Sequence, residues 1–132
     1  MIRSHRDLQA WQRAMELSEV TYCIARNLPQ YEAYGLAQQL RRSAVSIPSN
    51  IAEGHARIHR GDYVHHLSVA RGSLAELQTQ LELARRLHAV SVTEAQSLAD
   101  EVGRMLSRLI ARLRALPQQA RPRSPQPLIP NP

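Results

Sequence analysis

Apolar residues in the middle of the chain recur at alternating intervals of four and three positions. The members of this row are Tyr63, Leu67, Ala70, Leu74, Leu77, Leu81 and Ala84. Such spacing places every member on one stripe of an α-helix, and it is the spacing by which helices of a bundle interdigitate. The row predicts a helix over about residues 62–88 whose apolar stripe must be covered by other helices.

Three further segments repeat apolar residues with a helical period, and strand-like alternation is nearly absent. The four expected helices lie at about residues 7–27, 33–57, 62–88 and 92–116. Asp7 is expected to cap the first helix or to lie in its first turn, and Ser91 with Glu94 forms a candidate capping box for the last. Short connections between amphipathic helices predict an all-α fold, an antiparallel up-down-up-down four-helix bundle in residues 1–116.

A proline stands inside the second expected helix. Pro48 has no N–H to give to the carbonyl of Ala44, so we expect a kink there, with a break into two helices as the alternative. Asn50 is a candidate donor to the freed carbonyl. If helices 2 and 3 form an antiparallel hairpin, Gly72 comes opposite Pro48 and makes room for the kinked backbone.

The same hairpin register brings Arg42 near Glu76. Asn50 and Glu53 lie beside Gly54 on a helix expected to be mostly buried, where polar side chains need partners. We interpret these positions as structural, because one buried polar residue can fix the register of a bundle or its oligomeric state. The alternative is a ligand site. The structural motif predicted from the sequence comprises Pro48, Asn50, Glu53, Gly54 and Gly72.

Length and cysteine content restrict the class of protein. A chain of 132 residues fits one domain that buries its own core. Cys23 is the single cysteine, so an intramolecular disulfide is excluded and a reducing compartment is expected. No apolar run approaches the roughly 20 residues of a membrane span, and no apolar segment follows the charged N-terminus as in a secretory signal. These features predict a cytoplasmic protein without a membrane segment.

Positive charge gathers near the C-terminus. All 17 basic residues are arginine and the net charge is +6; residues 101–132 hold six arginines and one acid, Glu101. The candidate nucleic-acid-binding residues are Arg104, Arg108, Arg112 and Arg114. The first three lie at i, i+4 and i+8 on the last helix, where like charges repel mildly and favour an external anion such as phosphate. The alternative is pairing with acids of neighbouring helices or subunits, such as Glu16, Glu19 or Glu76.

Residues 117–132 contain six prolines, and we expect an extended or disordered tail. Arg121 and Arg123 within it prolong the basic region.

The histidines and one short motif suggest weaker hypotheses. His55 and His59 lie at i, i+4, with His65 and His66 shortly after, but no metal-binding pattern of ligands accompanies them, so we expect neither a metal nor another cofactor. Arg60 and His65 stand at a spacing that is similar to the signature of small all-helical RNases. A metal-independent RNase using these two residues is therefore a remote alternative; no catalytic residue is otherwise expected, and the chain is not predicted to be an enzyme.

Two stretches resemble a known family. They are Tyr34–Gly54, which reads YGLAQQLRRSAVSIPSNIAEG, and Ala70–Leu77, which reads ARGSLAEL and is followed by Gln80-Leu81; Asp7-Leu8 with Trp11 fits the family's opening. The family is that of the bacterial four-helix bundle proteins first noticed as reading frames in intervening sequences of 23S ribosomal RNA genes. The resemblance covers about residues 5–116. His5 or Arg6 stands where the family usually has an aromatic residue.

The resemblance implies an antiparallel bundle and a ring-like homopentamer. The chain is also similar to the accessory protein of diversity-generating retroelements, a basic pentameric bundle that binds nucleic acid and a reverse transcriptase. The function expected is thus that of a non-catalytic oligomeric accessory protein whose partners are further copies of itself, RNA or DNA, and a partner protein such as a reverse transcriptase. Structured RNA, contacted through its backbone by the arginines of helix 4, is the favoured ligand. A protein-interaction scaffold that does not bind nucleic acid is the alternative.

Overall fold

The structure, a computed structural model, describes residues 1–117. The helices of this part of the chain are α1 (Gln9–Arg26), α2 (Leu36–His55), α3 (Arg60–His88) and α4 (Thr93–Ala115). Single 3-10 turns at His5–Asp7 and Gln30–Glu32 precede α1 and α2, and residues 1–117 contain no strand. The all-α fold is confirmed. The proline-rich tail predicted at 117–132 lies, apart from Pro117, outside the described residues.

Each helix contacts two others: α1 packs on α2, α2 on α3, α3 on α4, and α4 on α1. The core between them is aliphatic, as a chain without Phe requires. Its fully buried large side chains include Leu17, Leu40, Ile47, Ile51, Leu67, Leu77, Leu81, Leu106 and Ile110. From Leu67 to Ala84 every member of the 4-3-4-3 row is buried, whereas Tyr63 at its start is half-buried. The periodic row therefore identified the core side of α3.

The helix α2 continues through Pro48, so the alternative of two separate helices is wrong; the kink stays a prediction. The carbonyl of Ala44, which lacks its usual donor at Pro48, faces α1. There the buried hydroxyl of Ser18 lies 3.0 Å from that carbonyl and 3.0 Å from the carbonyl of Ala14. Asn50 was the wrong partner, because its side-chain amide reaches the carbonyl of Ser46 in its own helix, at 2.8 Å.

Two glycines differ sharply in their surroundings. A Cβ on the buried Gly54 would lie 2.8 Å from Cβ of His66 and 3.1 Å from Cδ1 of Tyr63, so Gly54 permits α3 to approach α2 closely. A Cβ on Gly72 would meet nothing within 4 Å. The expectation that Gly72 makes room for Pro48 is wrong, because Ser73 faces α2 at this level, with its hydroxyl 2.8 Å from that of Ser46.

The groups that cap the helix N-termini also depart from expectation. Asp7 belongs to the 3-10 turn before α1, where its carboxylate accepts hydrogen bonds from the backbone N–H groups of Arg3 and Ser4; these hold the pKa of Asp7 below its usual value. The capping box predicted at Ser91 is wrong. The N-cap of α4 is Val92, which makes no side-chain cap bond, and Val92 is 4% exposed. Burial of an apolar side chain accompanies the start of this helix in place of a capping hydroxyl.

We predict that Ser18→Ala lowers the free energy of unfolding by about 1–3 kcal/mol, because the buried carbonyl of Ala44 loses its donor. In a Pro48→Ala background, the restored N–H can donate to Ala44, and the same Ser18→Ala change should then cost less than half as much. Urea unfolding of the four proteins measures both costs.

A matched control is Thr21→Val, since the buried Thr21 hydroxyl donates to the carbonyl of Leu17 in its own helix, at 2.7 Å. Its cost should be the same whether proline or alanine occupies position 48. If Ser18→Ala lowers the free energy of unfolding equally with proline or alanine at position 48, Ser18 is not the donor to the carbonyl of Ala44.

The two glycines give a second prediction. Gly72→Ala should raise the free energy of unfolding by about 0.5–1 kcal/mol, because alanine favours helix and finds open space. Gly54→Ala should lower it by about 1–3 kcal/mol, because the new methyl group must displace α3. Thermal unfolding of both variants checks the signs, and a stabilised Gly54→Ala protein would contradict the close packing.

Candidate nucleic-acid interface

Three arginines form a row along the solvent side of α4, which we call the arginine ridge: Arg104, Arg108 and Arg112. All three are exposed, whereas Leu106 and Ile110 on the opposite side of the helix are buried. Successive members lie about 6 Å apart along the helix axis. Burial of the apolar side of α4 therefore fixes the direction in which the ridge faces.

Among residues 1–117, no acidic side chain lies within 4.0 Å of a basic group of the ridge. Pairing with Glu16, Glu19 or Glu76 is therefore not observed within the chain. Glu16 instead binds Arg13 at 2.9 Å, and Arg13 also binds Glu101 of α4 at 3.0 Å. The hydrogen bond from Arg13 to Glu16, together with the charge of Glu101, raises the pKa of Arg13. Both of these acids are thus occupied by an arginine outside the ridge.

Arg114 is exposed and likewise has no acidic partner in the described part of the chain. Two residues after Arg112, however, it is rotated by roughly 160° around the axis of α4. The four candidate residues thus divide into the ridge and one arginine on a different side of the helix.

Grooves flank the ridge on both sides. The groove between α3 and α4 has a volume of about 660 Å³, and its lining includes Arg104 and Arg108. The groove between the N-terminal segment and α4 has a volume of about 460 Å³, and its lining includes Arg108 and Arg112. Arg108 borders both grooves, so a ligand on the ridge has access to either one.

The polar residues of the α2 motif lie away from the ridge. Asn50 is half-buried and its Oδ1 lies 3.2 Å from Nδ1 of His66, which joins α2 to α3. Glu53 is not buried as expected: its side chain is 53% exposed and binds Arg57 at 2.8 Å. It nevertheless reaches toward α3, since its Oε2 lies 3.9 Å from Nδ1 of His66. Contacts within the bundle thus account for Asn50.

Arg42 and Glu76 line the same surface groove between α2 and α3, as the hairpin register predicted. They form no ion pair within 4.0 Å in the described part of the chain. Arg42 and Glu76 are therefore close, as predicted, and they line one polar groove.

The histidines of the α2–α3 region contact different groups, apart from His65 and His66, whose ring centroids lie 5.6 Å apart. His55 packs edge-on against Tyr63, with ring centroids 5.7 Å apart, and His66 contacts Asn50, whereas His59 and His65 are exposed. In residues 1–117 no three His, Cys, Asp or Glu side chains come together in a way that would hold a metal ion. Burial raises the pKa of the Tyr63 hydroxyl, which has no hydrogen-bond partner among the described residues.

The structure does not bring the RNase candidates Arg60 and His65 together. Five residues apart on α3, they are separated by about 140° around the helix axis. Arg60 donates a hydrogen bond of 2.8 Å to the carbonyl of Pro117. Its position beside the end of α4 thus gives it a local structural contact.

Sequence reasoning missed two surface features. Arg71 of α3 lines the α3–α4 groove beside Arg104 and Arg108, although it is isolated in the sequence. Leu83 and Leu87 are 43% and 64% exposed on the outer side of α3. Their spacing of four was a signal for an exposed apolar row.

None of the helices in the described residues is both long and apolar enough to cross a membrane.

Comparisons with known proteins agree with the resemblance in the α2 motif. The model of the family described as 23S rRNA-intervening sequence protein matches residues 6–111. Among solved structures, the chain is similar to a crystal structure of a protein of unknown function from the S23 ribosomal protein family of Bacteroides thetaiotaomicron. The two are 22% identical with a TM-score of 0.69, over 77% of this chain and 95% of that one. A likeness at this identity concerns the fold alone. No curated protein matches the chain.

Proposed function

The chain belongs to the 23S rRNA-intervening sequence protein family, and from this premise we propose that it is a non-catalytic, oligomeric accessory protein that binds structured RNA through the arginine ridge. The observation that carries the proposal is the exposure of Arg104, Arg108 and Arg112 without acidic partners within the described chain. Guanidinium groups match phosphate in geometry and charge. Repetition of the ridge around an oligomer multiplies its effect through avidity.

The chemistry of the ridge favours contact with the nucleic-acid backbone. Among residues 1–117, the two grooves beside it are lined by arginines, apolar side chains and a few uncharged polar or acidic groups, with no aromatic ring on which a base could stack. Phosphate contacts position a protein without reading sequence. The proposed binding is therefore salt-dependent and nearly independent of sequence.

Replacement of all three ridge arginines by Gln tests this proposal. For a structured RNA hairpin, log K falls as log salt rises, and the magnitude of this slope should become smaller by about 2–3. The reason is that each lost phosphate contact no longer releases about 0.7–0.9 counterions. Fluorescence anisotropy at several salt concentrations measures the slope.

The control replaces Arg6, Arg26 and Arg57 by Gln, which removes the same charge from exposed positions outside both grooves and both apolar patches. It should leave most of the affinity and slope intact. Equal losses in the two triple variants, or wild-type affinity that ignores salt, would contradict a role for the ridge.

Exposed apolar residues on two sides of the bundle support self-association. Leu83 and Leu87 lie on the outer side of α3, and Tyr22 with Val45 borders a groove on the α1–α2 side. Two unlike patches on one chain favour head-to-tail contacts, in which the Leu83/Leu87 patch of each copy meets the Tyr22/Val45 patch of the next. Such contacts close into a ring when the rotation permits, which agrees with the homopentamer implied by the family resemblance.

Light scattering should therefore give the mass of an oligomer for the wild-type protein and of a monomer for Leu83→Gln/Leu87→Gln. Loss of apolar contact area removes the main driving force for association. Ile58→Gln, which changes an apolar residue that is 91% exposed in the α2–α3 connection, is the control and should keep the oligomer. A monomeric wild-type protein at micromolar concentration would contradict self-association.

The exposed leucines also favour the competing function, a protein-interaction scaffold that does not bind nucleic acid. A single partner protein retained after nuclease treatment, with no RNA affinity in the anisotropy titration, would support the scaffold and reject RNA binding. RNA binding that depends on the ridge supports the opposite.

A further inference from the structure

The groove between α3 and α4 is an open surface groove of about 660 Å³, and both of its sides carry arginine. Arg71 stands on the α3 side, and Arg104 with Arg108 stands on the α4 side. Arg71 is exposed and, like the ridge, has no acidic side chain within 4.0 Å in residues 1–117. Three guanidinium groups therefore face one channel from two helices.

Small residues make up part of the lining of this channel: Ala75 of α3 and Ala99 and Gly103 of α4. The lining also includes Gln78 and Leu74, which is 3% exposed. A Cβ on Gly103 would lie 3.3 Å from Cδ2 of Leu74, so the absence of a side chain there lets the two helices lie close together. Burial of Leu74 and the small size of its neighbours leave room for an extended chain beside the arginines.

The width of the channel limits its occupant. The groove lies on the open surface between two packed helices, whose axes are about 8–10 Å apart, and one extended polymer strand can lie along it. An RNA duplex, in which two strands are wound together in A form, is thicker than a single strand and rests on the rims of such a groove. The arrangement of positive charge on both sides of a narrow channel matches one phosphodiester backbone.

We propose that the α3–α4 groove binds the backbone of a single-stranded RNA segment, held between Arg71 on one side and Arg104 and Arg108 on the other. This rests on the proposed function and names the form of RNA that the ridge receives: an unpaired loop or end of a structured RNA. Arg71 is the residue that distinguishes this mode, because a duplex lying along the outside of α4 has no need of it.

Asp100 limits the part of the α3–α4 groove that can bind phosphate. It lines the same groove one helical turn before Arg104, and Nε2 of Gln78 donates to its Oδ1 at 3.2 Å. A carboxylate at this position repels phosphate, so the strand runs from Arg104 toward the C-terminal end of α4. Removal of this negative charge should strengthen binding, which is the opposite of the effect expected for Arg71.

The test compares a fluorescein-labelled 20-mer of uridylate with an RNA duplex of the same length, using the full chain. Arg71→Gln should weaken binding of the single strand about fivefold and reduce its salt slope by about 0.7, with the duplex affinity unchanged. Asp100→Asn should tighten binding of the single strand about twofold. Ala75→Gln, which adds bulk to the lining of the groove without changing charge, should weaken it.

Arg26→Gln and Glu94→Gln are the charge-matched controls, since both residues are exposed and neither lines the groove. They should leave the affinity for uridylate unchanged, and circular dichroism establishes that each variant is folded. Single-strand binding that depends on the ridge but is insensitive to Arg71→Gln, Asp100→Asn and Ala75→Gln would overturn the groove assignment while leaving the proposed function in place. Equal weakening of duplex and single strand by Arg71→Gln would overturn it as well. A wild-type protein that binds neither RNA rejects the proposed function itself.

Discussion

The buried carbonyl of Ala44 is the polar group around which the first two helices must be arranged. Pro48 removes its normal donor, and a buried carbonyl without a hydrogen bond costs about 1–3 kcal/mol. Ser18 supplies the missing donor from α1, at 3.0 Å. Leucine and isoleucine contacts provide most of the stability, but they tolerate small rotations of a helix. One hydroxyl that must reach one carbonyl fixes both the rotation of α1 and its position along α2.

The two sides of α3 are packed differently, and this difference places the candidate interface. Toward α2, the absence of a side chain at Gly54 permits close contact, and the hydroxyls of Ser46 and Ser73 meet across the interface. Toward α4, Ala75, Ala99 and Gly103 line an open groove in the described part of the chain. Arg71 and the ridge residues Arg104 and Arg108 thus line one groove from two packed helices. A binding surface on rigid helices loses little backbone entropy when its ligand arrives.

The periodic row predicted α3 at 62–88, within two residues of its start at Arg60, because a long heptad pattern specifies one helix face without reference to the rest of the fold. The exposure of the ridge followed in the same way, since apolar residues one or two positions away had to face the core. Ser18, Gly72 and Arg71 were not predictable by this means. Their roles depend on which residue of another helix lies opposite, and that depends on the rotation of every helix in the bundle. The start of α4 at Thr93 was predicted to within one residue, but its cap was not, because the buried Val92 stands at the N-cap in place of the predicted hydroxyl.

The arginines of the ridge repel one another, and in residues 1–117 no acidic side chain pairs with them to offset that repulsion. Arginines at i, i+4 repel one another by a few tenths of a kcal/mol, and nearby acids are engaged elsewhere: Arg13 binds Glu101, and Gln78 donates to Asp100. In water, small ions screen such a row within roughly 8–10 Å. A phosphate backbone replaces those ions and releases its own, and the gain comes mainly from this release. A surface of this kind binds polyanions strongly at low salt and reversibly at physiological salt, and a ring of several copies restores affinity through avidity. Under the proposed function, assembly and nucleic-acid binding are therefore linked: the charge of one bundle would serve for encounter, and repetition of that charge around an oligomer would allow retention.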